Sequence, residues 1–257
     1  MSGPQATPAD FIRRDGRRPG ELRPIHLERG FVQTAAGSVL ARSGGTVILC
    51  TASVENSLPP WMKDQTRGWL TAEYNMLPGS TRPRKPRERA GKVDGRTTEI
   101  QRLIGRSLRS ILDLQALGPR QITLDCDVLQ ADGGTRVLSI TASFVALVDA
   151  LASMSLLNDP ATGRPALKSS IAAISLGWVA GRLLLDLDYS EDHVADVDAN
   201  IVMTGAEECV EIQATAENAT YSRNQLNQML DLATDGLRQL RQIQRAALGP
   251  QWPFADA

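Results

Sequence analysis

QITLDCDVLQADGGTR, residues 121–136, changes its periodicity at one pair of glycines. Ile122, Leu124, Cys126 and Val128 alternate with polar residues, so Asp125 and Asp127 fall together on the other face of a half-buried strand. Gly133 and Gly134 end that pattern, and after Thr135 the run from Val137 to about Leu157 is apolar on nearly every face, which predicts a buried central helix. A strand that passes directly into a core helix points to an α+β domain in which strand pairs alternate with helices.

The rest of the chain extends the pattern in both directions. Ser38 to Ser43 and Thr46 to Val54 read as strands joined at Gly44-Gly45, a pair suited to the positive φ of tight hairpins. Ile100, Leu103, Ile104, Leu108, Ile111 and Leu112 recur at helical spacing and leave Arg102, Arg106 and Arg109 on a basic flank. Ile171 to Leu176 with Leu183 to Leu187, then Ile201 to Thr204 with Cys209 to Ala214, predict two more strand pairs. Ser222 and Gln225 form a capping box ahead of the stripe Leu226, Met229, Leu230, Ala233, Leu237, Leu240 and Ile243, and Gly249-Pro250 ends that helix.

Charge is distributed unevenly although the net is only −1. Between Arg82 and Arg109 ten Lys and Arg stand against three acids, whereas Leu183 to Ser222 holds ten carboxylates and no Lys or Arg. An anion site and a cation site in one chain suit phosphoryl transfer on a polyanion, where catalysis is mostly positioning and charge neutralisation. The 257 residues are 42% hydrophobic, as in an ordinary globular protein. Met1 to about Gly20 is polar and Pro- and Arg-rich with no apolar segment of signal type, and no other run reaches spanning length, since Phe144 to Leu151 is interrupted by Asp149. A cytoplasmic protein is therefore expected, with no membrane partner. Cys50, Cys126 and Cys209 are odd in number and far apart, so buried thiols are expected rather than disulfides, and two histidines without a Cys pair at metal spacing argue against structural zinc. Neither His26 nor His193 has a nucleophile motif beside it.

Three segments carry chemistry. Gln130 to Arg136, QADGGTR, puts two glycines before a helix start, where exposed N–H groups favour an anion and Thr135 and Arg136 add donors; the plain alternative is a tight turn with a Thr cap. The spacing is not that of a nucleoside triphosphate loop. Asp186, Asp188, Glu191, Asp192, Asp196 and Asp198, followed by Asn200, are dense enough to repel unless solvated or bridged, and Asp192 and Asp198 are the candidates for Mg²⁺. The basic loop Arg82 to Lys92, with Arg82, Arg84, Lys85, Arg87, Arg89 and Lys92, suits an RNA or DNA backbone, and 4% aromatic content argues against a broad stacking platform.

QADGGTR with the preceding DCDV (Asp125 to Val128), GRTTEIQRLIGRSLR (Gly95 to Arg109), GWLTAEYNMLP (Gly68 to Pro78), LDLDYSEDHVADVDANIVMTG (Leu185 to Gly205) and DGRRPGELRPI (Asp15 to Ile25) together closely resemble the bacterial ribonuclease PH family, from about Asp15 to Leu248. The resemblance implies the α+β ribonuclease PH fold in a single domain, 15–249, with an N-terminal extension, 1–14, a C-terminal tail, 250–257, and assembly into a hexameric ring, a trimer of dimers. It implies a phosphate-dependent 3′-to-5′ exoribonuclease that trims transfer RNA precursors and other structured RNA 3′ ends and releases nucleoside diphosphates. Arg96, Gly134, Thr135 and Arg136 would hold the attacking inorganic phosphate; Asp192 and Asp198 would be the catalytic pair that positions Mg²⁺, with Mn²⁺ as a substitute, and Asp192 could also protonate the leaving oxygen. The Arg-rich loop would face RNA at the ring opening. Val137-Leu138 stands where that family has a smaller Thr-Ala pair, Ala214 where it has Gly, and the N-terminus is longer; the bulkier pair could displace the helix start that aims at phosphate. Two competing readings are a non-catalytic RNA-binding ring subunit, against which the retained Arg96, Arg136, Asp192 and Asp198 argue, and a metal-dependent hydrolytic nuclease, which leaves the Gly-Gly-Thr-Arg cradle without a purpose.

Overall fold

The computed structural model describes residues 12–87, 94–157, 165–216 and 220–255. Its elements in chain order are β1 (Ile25–Arg29), β2 (Gly37–Ser43), β3 (Thr46–Glu55), β4 (Trp69–Met76), α1 (Gly95–Ser110), α2 (Leu114–Leu117), β5 (Gln121–Gln130), α3 (Thr135–Ser153), β6 (Ile171–Val179), β7 (Arg182–Leu185), α4 (Tyr189–Asp192), β8 (Val197–Thr204), β9 (Cys209–Ala216) and α5 (Arg223–Leu248). They build two sheets, of order β1-β2-β3-β5-β4 and β7-β6-β8-β9. Every predicted strand pair and helix is present, and the domain is α+β.

The β2–β3 hairpin closes Ser43 against Thr46 around Gly44, whose φ is +53°. β5 then lies antiparallel to β3, pairing Cys50 with Cys126, and parallel to β4 on its other side, the two connected across α1. The core face is made by Ile48, Cys50 and Ala52 on β3 and Ile122, Leu124, Cys126 and Val128 on β5, all buried. On the opposite face burial raises the carboxyls of Asp125 and Asp127 above their usual range, and burial with the neighbouring Asp125 charge raises Glu73.

α3 is apolar all round because β2 and β3 lie against it on one side and β6 on another. Its 19 residues are apolar enough to cross a membrane by length and composition, contrary to the expectation that no segment reaches that length, but it is a core helix, 83% buried within the protein. β6 is buried on both faces and so does not alternate. Ile171 and Ala173 join the cluster around α3, whereas Ala172, Ile174 and Leu176 pack with Met229, Ala233, Leu237 and Leu240 of α5. The Gln244 side-chain amide of α5 donates to Thr141 O and Ile171 O, both at 2.9 Å, tying the second sheet to the central helix.

The packed chain passes both boundaries read from the sequence. Arg13, assigned to the N-terminal extension, is 3% exposed. Trp252 and Phe254, assigned to the tail, pack on the buried Phe144 with ring centroids 6.0 and 6.5 Å away. Cys50 and Cys126 are buried free thiols 3.8 Å apart, while Cys209, expected to be buried, is exposed at the start of an outer strand.

The close approach of β2 to α3 depends on Gly37, where an added Cβ would lie 2.0 Å from Ala146 O. Overpacking of this kind costs about 1–3 kcal/mol, and contact with backbone rather than a movable side chain places Gly37→Ala at the upper end. Urea unfolding should show that loss with an unchanged denaturant slope; a loss below about 1 kcal/mol would mean that the helix shifts without penalty.

Candidate functional site

A cleft of about 910 Å³ opens where β4 and β5 end, α3 begins and the second sheet meets the first. It is lined by Arg96, Gly134, Thr135 and Arg136 on one side and by Asp192, Asp198 and Asn200 on another, with Arg82 also reaching it. All six residues read as phosphate or metal candidates therefore converge. Of the proposed RNA-binding residues, Arg82, Arg84 and Arg87 are exposed, Lys85 is engaged with Asp94 at 3.2 Å, and Arg89 and Lys92 lie outside the described residues.

The anion side is built from backbone. Gly133 and Gly134 take φ of +72° and +66° in succession, a conformation that side-chain-bearing residues resist. A Cβ on Gly133 would also lie 2.6 Å from Leu187 O, so the turn is pressed against the chain leading to Asp192. Gly134 is the N-cap of α3 and supplies no side-chain cap, contrary to the plain reading of a Thr cap, so the first-turn N–H groups stay available to a ligand. Tyr74, buried on β4, donates to Thr135 Oγ1 at 2.9 Å; the Thr135 hydroxyl, thus occupied as an acceptor, keeps its own proton for an anion. The Arg136 Nη1 donates to Gln213 Oε1 at 2.5 Å and to Glu99 Oε1 at 3.3 Å. Arg96 sits in the first turn of α1, whose N-cap Asp94 accepts from Thr97 N at 2.6 Å and is thereby drawn down to a pKa of about 2.

Val137 and Leu138 do not displace the helix start. Both turn into the core, each 4% exposed, and Leu138 N donates to Gly134 O at 3.0 Å as the first turn requires. Ala214 accepts a bond from Tyr221 OH on its carbonyl at 3.3 Å and its side chain packs with the α5 cluster. The basic flank of α1 is largely structural: Arg106 pairs with Glu211 at 2.8 Å, and Arg109 lies over the Trp69 ring at 4.7 Å.

The acidic run divides by function. Asp186 is 3% exposed and receives Arg23 through Nε at 3.1 Å, Nη2 at 2.7 Å and the backbone N at 2.8 Å. Arg13 and Arg17 each donate to Asp186 O at 2.9 Å, and Arg13 Nε also holds Glu191 at 2.7 Å. Asp188 and Glu191 complete a capping box on α4. Asp192 and Asp198 remain on the cleft. Burial, then the facing Asp198 charge, raises the Asp192 carboxyl above its usual range, while Arg96, Arg136 and Arg23 pull it down. Arg23 Nη1 also donates to Asp132 O, which joins the acidic loop to the glycine turn.

The buried cluster of Arg13, Arg17, Arg23 and Asp186 escaped the sequence reading, as did Tyr74, Glu99 and Gln213. The available signal was an Arg-rich segment with no element of its own, directly before β1. Among the described residues no three or more His, Cys, Asp or Glu gather as a metal cage. Two repelling carboxylates beside arginines nonetheless fit a hard cation that takes its other ligands from phosphate and water.

Residues 21–152 match the model for domain 1 of the 3′ exoribonuclease family, and residues 169–236 match that for domain 2. The ribonuclease PH of Rhodopirellula baltica is 54% identical over 238 residues, 91% of this chain and 97% of that protein. The ribonuclease PH of Corynebacterium kroppenstedtii is 52% identical over 246 residues, 95% and 96% of the two chains. Among solved structures, rice (Oryza sativa) Rrp46 superimposes with a TM-score of 0.74 at 20% identity, covering 92% of this chain and 100% of that one. An Archaeoglobus fulgidus exosome with RNA bound to the active site gives the same score and identity over 91% and 93%. At that identity these two structures show the fold.

Asp186→Asn keeps the shape of the buried acid and removes its charge, leaving Arg23 and Arg17 underneutralised. Breaking a buried pair in this way costs about 3–5 kcal/mol, which chemical denaturation should register. A cost under about 1 kcal/mol would mean that water reaches the cluster.

Proposed function

Because the chain belongs to the 3′ exoribonuclease family, we propose that it shortens RNA from the 3′ end by phosphorolysis, with inorganic phosphate as attacking co-substrate. The observation that carries this reading is the shared cleft: an uncapped helix start with Arg96, Thr135 and Arg136 faces Asp192 and Asp198 across one cavity. A hydrolase needs no second anion site, whereas phosphorolysis must hold an anion next to an already anionic phosphodiester.

In this mechanism the α3 amides, Thr135 and the two arginines bind phosphate and offset its repulsion with the RNA backbone. A phosphate oxygen attacks the last phosphodiester in line; the bond from phosphorus to the preceding nucleotide's O3′ breaks, a nucleoside diphosphate leaves, and the shortened RNA takes up a proton as a 3′-hydroxyl. The reverse step is nucleotidyl transfer. No side-chain nucleophile is required. Asp192 and Asp198 would hold Mg²⁺, or Mn²⁺ in its place, which when bound neutralises charge gathering on the scissile phosphate. Gln213 and Glu99 fix Arg136, Tyr74 fixes Thr135, and the Arg23 cluster fixes the loop that carries Asp192.

Transfer RNA precursors trimmed downstream of their CCA end are the proposed substrate, with Arg82, Arg84 and Arg87 meeting the RNA backbone at the entrance. We further propose a homohexameric ring, a trimer of dimers, and a cytoplasmic location.

Incubating a transfer RNA bearing extra 3′ nucleotides with Mg²⁺, with and without phosphate, tests the reading. Nucleoside diphosphates that form only with phosphate are expected; monophosphates without it would establish hydrolysis, and binding without product a non-catalytic subunit. Arg136→Ala should raise the KM for phosphate about 10- to 100-fold, the value of a charge-assisted contact, and leave RNA affinity unchanged. An unaltered phosphate KM would remove Arg136 from the cradle. Asp192→Asn combined with Asp198→Asn should give no turnover at any Mg²⁺ concentration, and residual turnover would place the metal elsewhere.

A further inference from the structure

We propose that Tyr189, backed by His193, is the stacking platform for the base of the RNA's 3′-terminal nucleotide. The proposal rests on the phosphorolytic reading of the same cleft and adds the contact that seats the nucleotide to be removed.

Tyr189 is 61% exposed and lines the cleft. Its ring lies nearly parallel to that of His193, with centroids 5.9 Å apart and planes 12° apart. Positions four apart on a helical turn share a face, which brings the two rings together. Of the two, Tyr189 is the one that borders the cleft, and the imidazole lies parallel and offset beside the phenol ring. An exposed aromatic already braced by a neighbouring ring has less side-chain freedom to lose when a base stacks on it.

The backbone beneath the ring is held on three sides. Tyr189 N donates to Asp132 Oδ1 at 3.3 Å, the Asp188 and Glu191 capping box closes the turn, and Gly133 packs so tightly that a Cβ there would come within 3.0 Å of Tyr189 N. Asp192 is one helical turn further on, about 5 Å along the axis. The base of a nucleotide whose phosphate meets Asp192 and Asp198 lies within one nucleotide of that point, so ring and carboxylates measure out a single terminal residue. Every base has a π face, and recognition by stacking accepts any of them, as an enzyme that removes successive nucleotides requires.

The test compares wild type, Tyr189→Ala and Tyr189→Phe on two RNAs, one ending in a normal nucleotide and one whose 3′-terminal nucleotide is abasic. On the normal RNA, Tyr189→Ala should raise the KM for RNA about tenfold, the size of one base–aromatic stack, while Tyr189→Phe stays near wild type and the phosphate KM does not move. On the abasic RNA, wild type and Tyr189→Ala should coincide. Equal losses on both RNAs would show that the ring only supports the loop carrying Asp192, and no loss on either would show that it is idle; each overturns the proposal. The same comparison made by RNA-binding anisotropy without phosphate still decides the stacking question if phosphorolysis itself fails.

Discussion

The ion pair between Arg23 and Asp186 is the constraint on which the cleft depends. Both residues are nearly inaccessible, and an isolated charge in that position would be costly to desolvate. Burial opposes the Arg23 charge, and the Asp186 hydrogen bonds and charge more than offset it. The arrangement holds because almost every polar atom is used: the Asp186 carboxylate takes three bonds from Arg23, and its backbone carbonyl takes Arg13 and Arg17. Asp186 N donates to Ser175 O at 2.7 Å, which anchors the pair in the second sheet, while β1 begins two residues after Arg23 and anchors it in the first. Even the hairpin at Gly44 conforms, since a Cβ there would lie 2.6 Å from Arg23 Cδ. The two sheets are thus locked together at the edge of the cleft, and the spacing of anion side and acid side follows.

That spacing has an electrostatic consequence. Phosphate and an RNA phosphodiester repel each other, so a site that brings them together must present positive charge to both without binding either too rigidly to react. Arg96, Arg136 and Arg23 all lower the Asp192 carboxyl against burial and Asp198, which means that they stand close enough to be felt across the cavity. Groups fixed by other bonds in advance need not reorganise as charge shifts, and this is the larger part of such catalysis. Tyr74 behaves the same way: burial raises its hydroxyl pKa, so it remains a proton donor to Thr135.

The glycine turn was legible because a Gly-Gly pair coincides with a change of period from two to 3.6 in residues 121–136, and both glycines do take positive φ. The acidic run was only half legible. Sequence shows six carboxylates between Asp186 and Asp198 but not their partners, and the arginines that neutralise Asp186 and Glu191 lie more than 160 positions away. Strand β4 alternates plainly, with Leu70, Ala72 and Tyr74 buried, yet its parallel partner β5 is reached only across α1, and such pairings leave no local signature. β1, at five residues with two charged members, is too short for a pattern. The extent of the packed chain was misread at both ends because Arg13 and Trp252 are anchored by distant groups, Arg13 by the Glu191 carboxylate and the Leu185 carbonyl and Trp252 by the Phe144 ring, rather than by an element of their own.

Val137 and Leu138 are buried beside the glycine turn, and the first turn of α3 still closes from Leu138 N to Gly134 O. A helix start aims its N–H groups along the axis, whereas its side chains point outward, so bulk added at the third and fourth positions is taken up by the core beside it. Arg136, between them and the cleft, is held from outside the helix: Glu99 on α1 and Gln213 on β9 both accept from Nη1. Among the described residues Nε and Nη2 of the planar guanidinium have no partner, so they face an anion with the fork already oriented. Position of the charge is therefore set by two neighbouring elements and direction of the amides by the glycines, and the core-facing Val137 and Leu138 determine neither.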